Sequence, residues 1–252
     1  SNIGKIFISA KNKKRKRKIL YNSKIIWLKN YKEIFFNKQI DIVIELVGNA
    51  EGPAKDLVFN SLKKKKHVIT ANKALIAKYG DPLSKIAEMN KVNLEYEAAV
   101  CGGVPIIRSI KEGLIANKID QIQGILNGTS NYILSSMHKN NLSFDTILNL
   151  AKKKGYAESN PISDLNGDDV ASKLKILTAL SFNCKINKSI HVEGIKNIDL
   201  EDIKNADNLG FKIKLLGVSE KKNNIIYQRV YPVLIKKTSY IASIDGVLNA
   251  VI

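Results

Sequence analysis

Apolar positions in the first hundred residues recur in short runs separated by segments with helical spacing. Residues 6–10 read as a strand. Residues 40–47 read as another, ended by Gly48, and the helix expected next starts near Pro53 and gathers Leu57, Val58 and Leu62 on one face. Residues 67–70 form a further expected strand, a helix is expected after Lys73, and residues 92–97 give one more strand. Strands that alternate with helices at this spacing imply βαβ units and a parallel sheet.

From Ile106 the pattern changes. Ile106, Ile107, Ile110 and Leu114 predict a helix, residues 119–126 a strand, and residues 132–137 and 144–153 two helices. A helix over residues 168–182, a strand over 192–195 and a helix over 200–208 follow. Residues 211–219 and 225–233 read as paired strands joined across 220–224. The expectation is an α/β domain over residues 1–105 and a mixed α+β domain over residues 106–252.

Composition narrows the function classes. Of 252 residues, 44% are hydrophobic, enough for a packed core. The formal net charge of +18 comes from lysines spread among isoleucines and asparagines, so a solvated lysine surface outweighs a nucleic-acid site. The densest basic run, Lys11 to Lys18, contains no aromatic residue, and Tyr21, Trp27 and Tyr31 beyond it lack the spacing of a single-strand-binding surface. Two distant cysteines, Cys101 and Cys184, suggest neither a disulfide framework nor a zinc site and fit a reducing cytoplasm. No apolar run is long enough to span a bilayer, and no secretory signal is present. The sequence opens directly on a strand and stops at residues 247–252, so further chain is expected on both sides.

Four groups of residues have the makings of a site. Residues 151–173 crowd Glu158, Asp164, Asp168 and Asp169 around Asn160-Pro161 and Asn166-Gly167, then place Lys173 one helical turn after Asp169. Val170, Leu174 and Leu177 mark the buried stripe, with Asp169 and Lys173 beside it. On spacing alone, a surface ion pair worth about 0.3–0.5 kcal/mol is the plainer reading. Against it, Glu158 and Asp164 supply more carboxylate than one lysine needs, and a partly desolvated lysine is a competent acid or base. Thr70-Ala71-Asn72-Lys73 follows a strand end, which is either a ligand position or a helix start with a solvated lysine.

The remaining two are loops. Glu97 to Pro105 contains Gly102-Gly103, read as turn residues or as a carboxylate and carbonyls that cage a hard cation. Asn127-Gly128-Thr129-Ser130-Asn131 reads first as a helix N-cap and second as a substrate contact. His67, His138 and His191 are scattered, Cys101 reads as packing, and the glycine-rich dinucleotide fingerprint is absent. The residues alone support an α/β enzyme with a lysine–carboxylate site.

The ordered set Ala151, Gly155-Tyr156-Ala157, Asn160-Pro161, Asp164-Leu165, Gly167, Asp169 and Lys173 resembles the signature segment of homoserine dehydrogenases. Further segments agree in order: Glu45 to Gly48, Ile69 to Leu75, Glu97 to Pro105, Gly124 to Ile133 and Gly246 to Val251. The resemblance implies a Rossmann-like dinucleotide-binding domain lacking its first strand and glycine loop, and a substrate-binding and dimerisation domain whose C-terminal end returns to the first. It implies reversible, nicotinamide-dependent interconversion of L-aspartate 4-semialdehyde and L-homoserine, on the way to threonine and methionine.

By position in that resemblance, Lys173 handles the alcohol proton, Asp169 holds the lysine and the substrate, and Glu158 pairs with the substrate ammonium. Asp164 and Thr129 are further substrate residues. Lys73, Gly155 and Gly48 take the cofactor side, and Glu97, Val100, Gly102 and Val104 the site of a monovalent cation, sodium in the family. The basic residues after Ala10 sit where a 2′-phosphate would be met, which favours NADP, with NAD as the alternative. A cytoplasmic homodimer acting on a small molecule is implied, without membrane or specific nucleic acid. Two other readings compete: another NAD(P)-dependent oxidoreductase of an amino-acid semialdehyde, and a basic nucleic-acid-binding module.

Overall fold

Residues 4–12, 25–186 and 189–252 are described in the computed structural model. The chain divides into two units, Ser1–Tyr96 and Glu97–Ile252.

In the first unit, β1 (Ile6–Ile8) and β2 (Ile25–Trp27) form a parallel pair, followed by a short helix α1 (Glu33–Phe36). Then come β3 (Ile42–Glu45), α2 (Pro53–Lys63), β4 (His67–Thr70), α3 (Lys73–Asn90) and β5 (Leu94–Glu95). Strands β3, β4 and β5 lie side by side and parallel, as the alternating pattern requires. Pro53 opens α2 at a position where its missing N–H costs nothing, and the helix buries Ala54, Leu57, Val58 and Leu62. Asn72 caps α3, its side-chain oxygen accepting from Leu75 N–H at 3.0 Å.

Two details differ from the sequence pattern. The strand expected over 92–97 shrinks to two residues, because β4 is its one partner among the described residues and the chain turns into a 3₁₀ segment at Glu97–Ala99. Strand β2 and helix α1 were not anticipated, being too short to show a period. Residues 13–18 of the basic run, and with them most of the expected 2′-phosphate contact, lie outside the described residues.

The second unit begins with α4 (Ile106–Arg108), which widens at once into a π-turn over Ser109–Gly113. Apolar positions four residues apart do not separate an α-turn from a π-turn, so the expected helix is found in this modified form. Next are β6 (Gln121–Ile125), α5 (Gly128–Asn140), α6 (Phe144–Lys153), α7 (Ile162–Asn166) and α8 (Asp168–Ser181). The rest is β7 (His191–Val192), α9 (Leu200–Asn208), β8 (Phe211–Lys222), β9 (Ile225–Lys236) and β10 (Ala250–Val251). The sheet runs β10-β6-β8-β9-β7, antiparallel except for the β7–β9 pair.

Alternation along β8 sends neighbouring residues to opposite faces. A Cβ at Gly217 would meet Leu126, Val170 and Leu174 at 3.1–3.5 Å, so this face is where α8 lies close on the sheet. Leu216 packs on the other side with Ile125, Ile235, Ile241 and Ala242. The hairpin between β8 and β9 is tighter than expected: Asn223 and Asn224 alone make the turn, both at positive φ, so the strands run on through the charged residues 220–222. Strand β10 pairs with β6, where a Cβ at Gly124 would stand 2.4 Å from the Ala250 carbonyl. Residues 250–251 therefore form the edge strand of the second sheet. No helix among the described residues is long and apolar enough to cross a membrane.

Candidate active site

Of the residues that the sequence crowds together over 151–173, Asp164, Asp169 and Lys173 converge in the second unit at the N-terminus of α8. Gly167 precedes the helix at φ +88°, and a Cβ there would press on Val192 and Val230 at 3.1 Å, so the tight entry requires glycine. One turn in, Lys173 Nζ donates to Asp169 Oδ2 at 2.8 Å, and the two side chains are 14% and 6% exposed. That burial removes the surface ion-pair reading, because an exposed i,i+4 pair has both heads in water.

A second acceptor fixes the lysine: the Leu126 carbonyl, at the end of β6, takes a hydrogen bond from Nζ at 2.6 Å. An ammonium carries three N–H groups, and the third has no protein partner among the described residues. The carboxylates are also tied together. Asn127 Nδ2 donates to Asp164 Oδ1 and to Asp169 Oδ2, each at 2.9 Å, across two different helices. Cys101 senses the same pair: burial pushes its thiol up, the Lys173 ammonium pulls it down and Asp169 pushes it up again. A buried thiol held in its neutral form suits packing and not nucleophilic attack.

Thr129, in the first turn of α5, donates from its hydroxyl to the Tyr156 carbonyl at 2.8 Å. This bond ties α5 to the segment that carries Gly155 and Glu158, and the Tyr132 and Tyr156 rings meet edge to face at 5.0 Å. Gly155 is exposed at φ +73°, with open space where a Cβ would stand, and Glu158 is exposed without an ion pair among the described residues. Glu158 is thus beside the cluster in sequence but not bonded into it.

Glu97 has a different environment from the rest. Its two carboxylate oxygens accept Ile107 N–H and Arg108 N–H, both at 2.9 Å, and so cap α4. The loop from Glu97 through Val100, Gly102 and Val104 curls tightly, with Cys101 at φ +48°, Gly103 at φ +91° and Val104 N–H bonded to the Cys101 carbonyl at 2.8 Å. Each carboxylate oxygen has a second lone pair, so the donor set fits a hard cation while serving as a cap.

In the first unit, Gly48 and Lys73 are brought together by a residue whose role the sequence did not reveal. Glu45, fully buried at the end of β3, accepts from Val47 N–H at 2.6 Å and Gly48 N–H at 3.0 Å through Oε1. Its Oε2 accepts the Thr70 hydroxyl at 2.6 Å, and Thr70 Oγ1 in turn accepts Asn72 N–H at 3.0 Å. Asn72 Nδ2 then donates to the Asn49 carbonyl at 2.6 Å. This network joins the loop after β3 to the start of α3, where Lys73 is the first helical residue. Gly48, at φ +80° with nothing within 4 Å of a Cβ position, leaves the strand end open to a bound group. Parallel sheets bind ligands at this edge, so the residues present fit one side of a nucleotide cofactor.

A parallel βαβ unit with an open strand edge, and an α+β unit that pairs a largely buried lysine with a buried carboxylate, define a two-unit protein of the dehydrogenase class. Residues 105–252 match the family model described as homoserine dehydrogenase, and residues 7–97 match its NAD-binding domain. The chain belongs to the homoserine dehydrogenase family. It is 45% identical over 220 residues to the homoserine dehydrogenase of Neisseria gonorrhoeae, covering 87% of this chain and 50% of that one. The crystal structure of a homoserine dehydrogenase from Thiobacillus denitrificans superposes with a TM-score of 0.87 at 44% identity, over 89% of this chain and 52% of the other. A hyperthermophilic archaeal homoserine dehydrogenase in complex with NADPH gives 0.75 at 25% identity, over 88% and 64%. The chain spans about half the length of the curated relatives it matches.

Proposed function

We propose that the protein acts as a homoserine dehydrogenase, interconverting L-homoserine and L-aspartate 4-semialdehyde with NADP, and that Lys173 moves the alcohol proton. The observation that carries this reading is the geometry of Lys173: partly buried, paired, held by a backbone carbonyl, and left with one N–H direction for a substrate oxygen. When bound, the nicotinamide supplies the hydride acceptor or donor. In the oxidation, Lys173 as the neutral amine takes the hydroxyl proton while the carbon loses hydride; in the reduction it returns that proton to the forming alkoxide.

Asp169 holds the lysine head and fixes its rotamer, so the proton is delivered from a set position. Glu158 pairs with the substrate ammonium, and its exposure leaves it able to do so. Asp164 and Thr129 line the same region, through Asn127 and Tyr156 respectively. Lys73, Gly48 and Gly155 serve the cofactor, with Glu45 shaping the first two. Glu97 and the carbonyls of Val100, Gly102 and Val104 hold a monovalent cation, sodium by family resemblance. The protein works as a cytoplasmic homodimer.

The test is homoserine-dependent reduction of NADP⁺ by the purified protein, read from the absorbance of the reduced nicotinamide. Turnover with homoserine and not with other amino alcohols supports the reading. Turnover with a different amino alcohol alone would favour another semialdehyde oxidoreductase.

A further inference from the structure

Asn127 is the N-cap of α5, but the cap accounts for only half of its side chain. The amide oxygen accepts Ser130 N–H at 2.8 Å, and that bond dictates which way the amide faces. The NH₂ group must then point away from the helix, toward the two carboxylates it meets at 2.9 Å each. Asn127 is 5% exposed, and its bond to Asp169 is buried, while the one to Asp164 is part-buried. Asp164 comes from α7 and Asp169 from α8; two carboxylates brought this close repel unless a donor is shared between them.

Asp169 Oδ2 receives both Asn127 Nδ2 and Lys173 Nζ. The preceding residue, Leu126, offers its carbonyl to the same Nζ. Consecutive residues at the end of β6 therefore grip both members of the pair, one as donor to the carboxylate and one as acceptor from the lysine.

We propose that Asn127 is a positioning residue, clamping Asp164 and Asp169 on one amide so that Asp169 presents Oδ2 to Lys173. The inference rests on the proposed function, in which Lys173 moves the proton. The cap uses Oδ1 and the clamp uses Nδ2, so substitution separates the two roles. Asn127→Asp keeps a capping oxygen and the side-chain shape, but replaces the shared donor by a third carboxylate oxygen. Asn127→Ser keeps a cap with no amide and adds no charge. The titratable groups bonded to the amide are Asp164 and Asp169, with Lys173 and Cys101 neighbouring Asp169.

Both variants are compared with the unaltered protein for kcat, KM for homoserine, the pH profile of kcat and thermal midpoint. Both should lose kcat by about tenfold or more, the scale of a lost hydrogen bond to a charged group. In Asn127→Asp, which both removes the donor and adds a charge, the acid limb of the profile should also move to higher pH, and by more than in Asn127→Ser, which only removes the donor. A lowered thermal midpoint with unchanged kcat in the variant that folds would overturn the proposal, leaving Asn127 a cap alone. If the unaltered protein does not oxidise homoserine, the functional reading fails separately. The clamp is then decided by ¹³C titration of the Asp164 and Asp169 carboxyls, whose midpoints should rise in Asn127→Asp; unmoved midpoints overturn it.

Discussion

Lys173 Nζ and Asp169 Oδ2 stand 2.8 Å apart on adjacent turns of α8, with both side chains largely withdrawn from solvent. A buried ion pair contributes little net stability against an apolar replacement, but removing one partner strands the other. Asp169→Ala should therefore destabilise the protein by about 3–5 kcal/mol, measured as the loss in urea unfolding free energy. A loss within the scatter of surface substitutions would mean that Lys173 finds other solvation.

The helix carrying this pair was legible in the sequence because Val170, Leu174 and Leu177 repeat with a helical period, and all three are buried. The surroundings of the pair were not. Leu126 contributes through its carbonyl, which side-chain identity does not report, and Asn127 meets Asp164 and Asp169 across 37 and 42 residues of chain. Glu45 reads in sequence as an acidic interruption of a strand, and its burial follows from Thr70 and two backbone N–H groups that a one-dimensional pattern cannot place. The β8–β9 turn was set too wide for a related reason. Its charged flanks look like loop, whereas two asparagines at positive φ already suffice to reverse the chain.

Close backbone approach gives a second prediction. A Cβ at Gly194 would lie 2.1 Å from the Leu165 carbonyl oxygen and 2.6 Å from Asn166 Cα, both backbone atoms of α7. Gly194→Ala should cost more than about 2 kcal/mol, since the clash cannot be relieved by rotating a side chain. Gly113→Ala, where nothing lies within 4 Å, is the control and should leave the unfolding free energy within about a few tenths of a kcal/mol of the unaltered protein. Equal effects at the two sites would contradict the packing described.

Acid should weaken a contact away from the active site. Lys214, 1% exposed on β8, donates to Asp245 at 2.8 Å, to Asn131 Oδ1 at 2.9 Å and to the Ile244 carbonyl at 2.5 Å. Burial pulls the lysine down, with Asp245 opposing. Burial would push Asp245 up, but Lys214 and Lys212 outweigh it and hold the carboxyl below its ordinary value of 3.8. The lysine's shift records the cost of burial and the aspartate's the gain of the contact, so the acid limb of stability follows the aspartate. A carboxyl lowered on folding stabilises above its unfolded value, and the contribution disappears as pH falls through the folded value. Asp245 is half exposed, so salt should reduce the effect. Urea midpoints of wild type and Asp245→Asn should differ at neutral pH and converge below about pH 4; a gap independent of pH would contradict this.

The most direct test of the central claim separates proton transfer from substrate holding at the two ends of the cluster. Steady-state oxidation of homoserine with NADP⁺ is measured for Lys173→Ala and Glu158→Ala, with homoserine binding followed in parallel. Lys173→Ala should lose about 10²–10⁴-fold in kcat while still binding homoserine, and Glu158→Ala should mainly raise KM. Normal turnover by Lys173→Ala would contradict the assignment of the proton to this lysine.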